Sequence, residues 1–205
     1  MRLFFFGDSI CVGHLISLHK TWIVQVSSKL AEEGLDVVVQ NSSVNGNTTR
    51  MALERMYYDV LDFCPDLLYI QFGLNDSNYW ETDVGVPRVS KNGFETNLYE
   101  MIDRSFVSGV KKILLGTNHP ILKDVPFTYA PFTSPAMSNK NYNSVIRSVA
   151  SKRDIVLIDH EDLWFSSKLS FVDMLLPDGI HINERGHNFY FDSAFPIIEK
   201  TIKNI

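Results

Sequence analysis

A chain of 205 residues has the length of one domain and can bury a sizeable core, so residues 1–205 are expected to form a single domain. With a formal charge of −5 and no run of Lys or Arg, it lacks the basic stripe of a nucleic-acid surface, and no nucleic-acid partner is expected. No apolar stretch approaches the roughly 18 residues of a membrane span, and the opening MRLFFFGDS is interrupted too soon for a signal-peptide core. The expected location is cytoplasmic, with Cys11 and Cys64 as reduced structural thiols.

In chain order, residues 3–6 form a short apolar run that stops at Gly7. Trp22, Val26 and Leu30 repeat every four residues and predict a helix. Residues 35–40 (LDVVVQ) are β-branched, follow Gly34 and predict a second strand. Residues 67–72 (LLYIQF), between Pro65 and Gly73, predict a third. Phe94, Leu98 and Ile102 mark another helix, and residues 113–115 a fourth strand. Tyr142, Val145, Ile146 and Val149 share one helical face, and residues 155–158 complete a set of five strands. Asn183 is a good N-cap for a last helix that carries Phe195, Ile198 and Ile202 inward, with Pro196 expected to kink or break it. Doubly buried strands alternating with helices imply a parallel sheet in an α/β sandwich. The long irregular stretches 77–92 and 118–135 both follow strands, which places them at the carboxyl edge of the sheet, where α/β folds bind ligands.

Four segments at that edge carry chemistry. Gly7-Asp8-Ser9 holds a serine just past the first strand, although a serine there also serves as a cap or turn residue. Asp178-Gly179-Ile180-His181 has the spacing for a carboxylate to reach the Nδ1 side of an imidazole, the group a serine hydroxyl needs to lose its proton; the alternative is a turn Asp and a surface His. Asn75 in GLND offers a side-chain amide, and Gly46 in NSSVNGNT an unshielded N–H. With the N–H of Ser9 they make three donors for one tetrahedral oxygen, while each loop alone has ordinary turn chemistry. Their joint placement on one edge is what distinguishes them.

These segments resemble, in order and spacing, the four signature blocks of the SGNH hydrolase superfamily, also called GDSL esterases and lipases. The resemblance implies a three-layer α/β/α, flavodoxin-like fold with a five-stranded parallel sheet in the order 2-1-3-4-5. It implies Ser9 as nucleophile, His181 as base and Asp178 as its orienter, with Ser9, Gly46 and Asn75 holding the oxyanion. It also implies no metal and no other cofactor. Ile182 stands where many members have Pro, and the second block is Asn-rich. Tyr79, Trp80 and His119 are candidates for touching substrate. His14, His19 and His160 have no motif support, and His187 reads as a packed or capping residue of the last helix.

The function expected is hydrolysis of a small acyl ester, an O-acetyl or other short acyl group on a carbohydrate or metabolite, through an acyl-enzyme on Ser9. An acyl thioesterase or lysophospholipase for longer chains is the alternative, with Val125, Phe127, Tyr129 and Phe132 as its apolar groove. A non-catalytic acyl- or glycan-binding module is the reading from another class. GDSICVG after the first strand is not the GxGxxG of a dinucleotide fold, and a nucleophile at residue 9 does not fit the mid-chain GxSxG of ordinary α/β-hydrolases.

Overall fold

The computed structural model describes residues 1–205. Its elements run β1 (Arg2–Gly7), α1 (Ser9–Val12), α2 (Trp22–Glu32), β2 (Val38–Asn41), α3 (Thr49–Asp59), β3 (Leu67–Gln71), α4 (Lys91–Val107), β4 (Lys112–Gly116), α5 (Pro135–Arg153), β5 (Val156–Ile158), α6 (His160–Ser166) and α7 (Glu184–Ile202). The five strands form one sheet in the order β2-β1-β3-β4-β5, every neighbouring pair parallel.

The period-2 geometry of β1 explains why residues 3–6 are all apolar. Phe4 and Phe6 point into one core with Leu68, Ile70, Ile113 and Leu115, covered by α3, α4 and α5. Leu3 and Phe5 point into the other with Leu67, Tyr69 and Leu114, covered by α2, α6 and α7. The two cores make three layers, and no helix is long and apolar enough to cross a membrane.

Three elements depart from expectation. The second strand begins at Val38, whose N–H donates to the Met1 carbonyl, because pairing with β1 runs from Arg2↔Val38 onward and residues 35–37 have no neighbouring strand to bond. Helix α7 runs unbroken through Pro196: the proline withholds one hydrogen bond from Asp192, while burial of Phe195, Ile198 and Ile202 holds the helix against α2 and the sheet. Cys11 is buried as expected, but Cys64 is exposed, at the end of a short turn where its φ is +48°.

Candidate active site

The turn after β1 is built by contact. A Cβ on Gly7 would meet Cys11 Sγ at 2.7 Å and the Gln71 carbonyl oxygen at 2.8 Å, so only glycine lets the chain turn directly into α1. Asp8 caps α1, its Oδ1 accepting the Ile10 N–H at 3.1 Å. Ser9 is the first helical residue, so no carbonyl lies behind its N–H in the helix.

The second loop lies against this turn through the Val44 N–H, which donates to the Gly7 carbonyl at 3.1 Å. Its asparagines are structural: Asn41 Nδ2 donates to the Cys11 carbonyl at 2.9 Å, and Asn47 Oδ1 accepts from Arg55 Nε at 2.7 Å. Gly46 has φ +75°, a conformation that a side chain would strain. From the third loop, Asn75 Nδ2 donates to Asp8 Oδ2 at 3.2 Å. Asp76 is buried behind it, its Oδ1 accepting the Thr49 N–H at 2.9 Å and also the Thr49 hydroxyl, which ties α3 to the end of β3. Burial pushes the Asp8 carboxyl up to about 7, against the Ile10 hydrogen bond. It pushes Asp76 up to about 6, against the two bonds from Thr49.

The fourth loop comes from 172 residues away in sequence. The Ser9 Oγ–H points to His181 Nε2 at 2.9 Å, and His181 Nδ1 donates to Asp178 Oδ2 at 2.6 Å. Asp178 Oδ1 accepts the Ile180 and His181 N–H groups, each at 2.9 Å. Burial raises the Asp178 carboxyl, but these three hydrogen bonds outweigh it and hold the group below its ordinary value. Ile182, in place of proline, is buried in the core and pairs antiparallel with Leu175. Asn183 caps α7, accepting from the Arg185 and Gly186 N–H groups at 2.9 and 3.2 Å. A hydroxyl, an imidazole and a carboxylate thus stand in series. This arrangement can move a proton from a serine hydroxyl to an imidazole whose cation the carboxylate stabilises.

Ser9, Asn75 and His181 lie on the wall of a cavity of about 580 Å³. The 118–135 stretch supplies much of the rest, including Ile121, Lys123, Val125 and Phe127, so it borders the site as its position after a strand implied. Of the apolar side chains expected to form a groove, Val125 and Phe127 line the cavity while Tyr129 and Phe132 do not.

The three residues expected to touch substrate are not on this wall. His119 is fully buried: Tyr190 O–H donates to its Nδ1 at 2.8 Å, and its Nε2 donates to the Ile180 carbonyl at 2.7 Å. Burial lowers it to about 4, so it stays neutral. Tyr79 packs against Phe127 and Phe132, with ring centroids 4.9 and 6.0 Å apart, and supports the cavity wall from behind. Trp80 lies under the Arg88 guanidinium, 4.2 Å from ring centroid to carbon. Among residues without a motif, His14 packs against His181, with ring centroids 4.4 Å apart and planes tilted by 41°. His187 accepts the Trp22 N–H at 3.2 Å, capping α2 from across the interface, where Thr21 supplies no side-chain bond. No local sequence signal marks His14 or His119 for these places, since both contacts are made across the fold.

A parallel α/β sandwich with a serine, an imidazole and a carboxylate in series at its carboxyl edge defines a hydrolase-like architecture. Residues 5–189 match the model of the GDSL-like Lipase/Acylhydrolase family, and the chain belongs to that family. It is 37% identical over 145 residues to the uncharacterized lipoprotein YqeF of Bacillus subtilis, covering 64% of this chain and 58% of that one. It is 27% identical over 176 residues to esterase TesA of Pseudomonas aeruginosa, covering 85% and 76% respectively. An arylesterase of Vibrio mimicus is 29% identical over 119 residues, covering 58% of this chain and 56% of the relative. The chain therefore spans little more than half the length of YqeF and of the arylesterase. Among solved structures, a lipase/acylhydrolase from Enterococcus faecalis superposes with a TM-score of 0.79 at 24% identity, over 98% of this chain and 96% of that one. The acetyl xylan esterase AlAXEase gives 0.81 at 21% identity, over 97% and 100%. Both share the fold.

Proposed function

We propose that the chain, as one SGNH-hydrolase domain, hydrolyses a small acyl ester through an acyl-enzyme on Ser9. The observation that carries this reading is the unbroken hydrogen-bond series Asp178–His181–Ser9 at the wall of a cavity that Asn75 also lines. In the first half-reaction, Ser9 Oγ passes its proton to His181 Nε2 and bonds to the ester carbonyl carbon. The carbonyl oxygen becomes an anion facing the Ser9 N–H, the Gly46 N–H and Asn75 Nδ2. Collapse breaks the bond to the alcohol, which leaves with the proton from His181. A water then gives a proton to His181 and attacks the acyl carbon; the bond to Ser9 Oγ breaks, Oγ takes the proton back from His181, and the acid leaves. Asp178 holds the imidazole tautomer throughout.

The relatives that bear the names arylesterase and esterase TesA support an ester substrate. The structural likeness to an acetyl xylan esterase agrees with an acetyl or other short acyl group on a carbohydrate or metabolite. The longer-chain reading is favoured by one observation, the apolar stretch of wall formed by Ile121, Val125 and Phe127.

A p-nitrophenyl ester series from two to twelve carbons tests both, with Ser9→Ala as control. The expected optimum is at two to four carbons, with turnover lost in Ser9→Ala while the melting curve is kept. An optimum at eight or more carbons selects the longer-chain reading. No turnover of any ester, together with no labelling of Ser9 by a fluorophosphonate, selects a binding module.

A further inference from the structure

Arg88 lies in the loop between β3 and α4, outside all four blocks, yet it touches two of the three oxyanion residues. Nη1 donates to Asn75 Oδ1 at 3.4 Å, and Nη2 donates to the Gly46 carbonyl at 3.2 Å. The face of the guanidinium rests on Trp80, 4.2 Å from the ring centroid. The backbone around it is tied as well: the Arg88 N–H donates to the Asn78 carbonyl at 2.9 Å, and the Val89 N–H to the Asp76 carbonyl at 3.0 Å.

The consequence for Asn75 follows from donor and acceptor counting. A carboxamide has an acceptor end and a donor end carrying two hydrogens. Arg88 occupies the acceptor end, and Asp8 Oδ2 takes one hydrogen of the donor end. Flipping the amide would set Nδ2 against the guanidinium, donor against donor, whatever the protonation of the Asp8 carboxyl. The amide is therefore held in one orientation, with a single N–H left for substrate. Gly46 is held by the same cation. Nothing lies within 4 Å of where its Cβ would be, so no side-chain packing constrains this residue from that direction, and its carbonyl is tethered to Arg88.

We propose that Arg88 is the positioning residue of the oxyanion hole, fixing the Asn75 amide and the Gly46 backbone together while Trp80 holds its guanidinium flat. Both guanidinium contacts of Arg88 at the site go to Asn75 and Gly46, so it acts through those two residues. The proposal rests on the hydrolase reading above, and turnover by the wild type checks that reading separately.

The test is steady-state kinetics on p-nitrophenyl acetate for Arg88→Ala, Arg88→Lys, Asn75→Ala and the Arg88→Ala/Asn75→Ala double variant, with a melting curve for each. Arg88→Ala should lower kcat by about 10- to 100-fold, the scale of a misplaced catalytic group, while KM stays nearly unchanged. Arg88→Lys should recover part of the loss, since an ammonium can serve one of the two acceptors but does not match the fork. In the Asn75→Ala background, Arg88→Ala should cost much less than in the wild type, because its main route to the reaction is gone. Added guanidinium should restore part of the activity of Arg88→Ala and little of the double variant's. Unchanged kcat in Arg88→Ala, a loss in KM alone, or full additivity with Asn75→Ala would each overturn the proposal. If Arg88→Ala does not fold, Arg88→Lys and Trp80→Leu carry the test by the same kcat-against-KM split and the same additivity.

Discussion

His119 shows how a single side chain can serve the site without touching its cavity. Its Nε2–H holds the carbonyl of Ile180, the residue before His181, and Tyr190 and the stacked Trp164 ring hold the imidazole in turn. Only the neutral form fits, because the Tyr190 oxygen already accepts from Gln71 Nε2 and the His119 backbone N–H and has its O–H left to give to Nδ1. Replacing His119 with Phe keeps the ring stack and removes the strut. The expected result is a fall in kcat on the order of 10- to 100-fold with KM little changed, read on p-nitrophenyl acetate. His119→Gln can place an N–H near the former Nε2 and should keep most of the activity; equal losses in both variants would rule the strut out. By sequence His119 is a candidate for touching substrate because it follows the fourth strand, where substrate can pass. What the local sequence lacks is Tyr190, which lies 71 residues away and turns the ring into the core.

At the level of elements, the loop joining β4 to α5 is shaped by contacts with two neighbours. The Leu122 N–H donates to the Gly179 carbonyl at 2.9 Å, tying it to the loop that carries Asp178 and His181. The Gly85 N–H donates to the Tyr129 carbonyl at 2.8 Å, tying it to the loop after β3. Phe127 stands between these ties, on the cavity wall with Tyr79 behind it. Phe127→Ala should therefore widen the cavity and move the chain-length optimum upward, read as a rise in kcat/KM for six- and eight-carbon esters relative to the acetyl ester. An unmoved optimum would mean that Phe127 does not bound the acyl site. The strands and the long helices were legible because both faces of the sheet are buried and the helices show a clear stripe. Helix α3 was not, since its buried positions are few, Ala52 and Met56 following Thr49, amid exposed and charged neighbours. The roles of Tyr79 and Trp80 were equally closed to sequence, because an aromatic in a loop can face a ligand or back a wall, and only the fold decides which.

For the whole molecule, acid stability is governed by a contest between buried histidines and buried carboxyls. Burial lowers His119 and His187 to about 4 and His160 to about 3, so each takes up a proton on unfolding in acid. Unfolded histidine titrates near 6.5, so the stability these groups contribute is present above that pH and lost as pH falls towards 4. Asp8 and Asp76 act the other way: raised to about 7 and about 6, they hold protons in the fold that the unfolded chain has released above about 4. Three groups outweigh two, and lowered carboxyls such as Asp178 and Asp159 add to the loss below about 4. The urea midpoint should therefore fall between pH 6.5 and 4.5; a midpoint that holds or rises over this range would contradict the assignment. The loops of Ser9, Gly46 and Asn75 were legible in sequence because each ends a strand of one sheet, and the loop of Asp178 and His181 by its own spacing, whereas Arg88 and the buried network were not, because their partners are gathered only by the fold. The great separation of Ser9 from His181 along the chain has a consequence during biosynthesis. At typical elongation rates the codon for His181 is read roughly 10 to 30 s after that for Ser9. Until α7 emerges and docks, a nascent chain can hold the sheet's first strands and still be unable to attack an ester, so ester turnover should report the finished fold and no earlier stage of it.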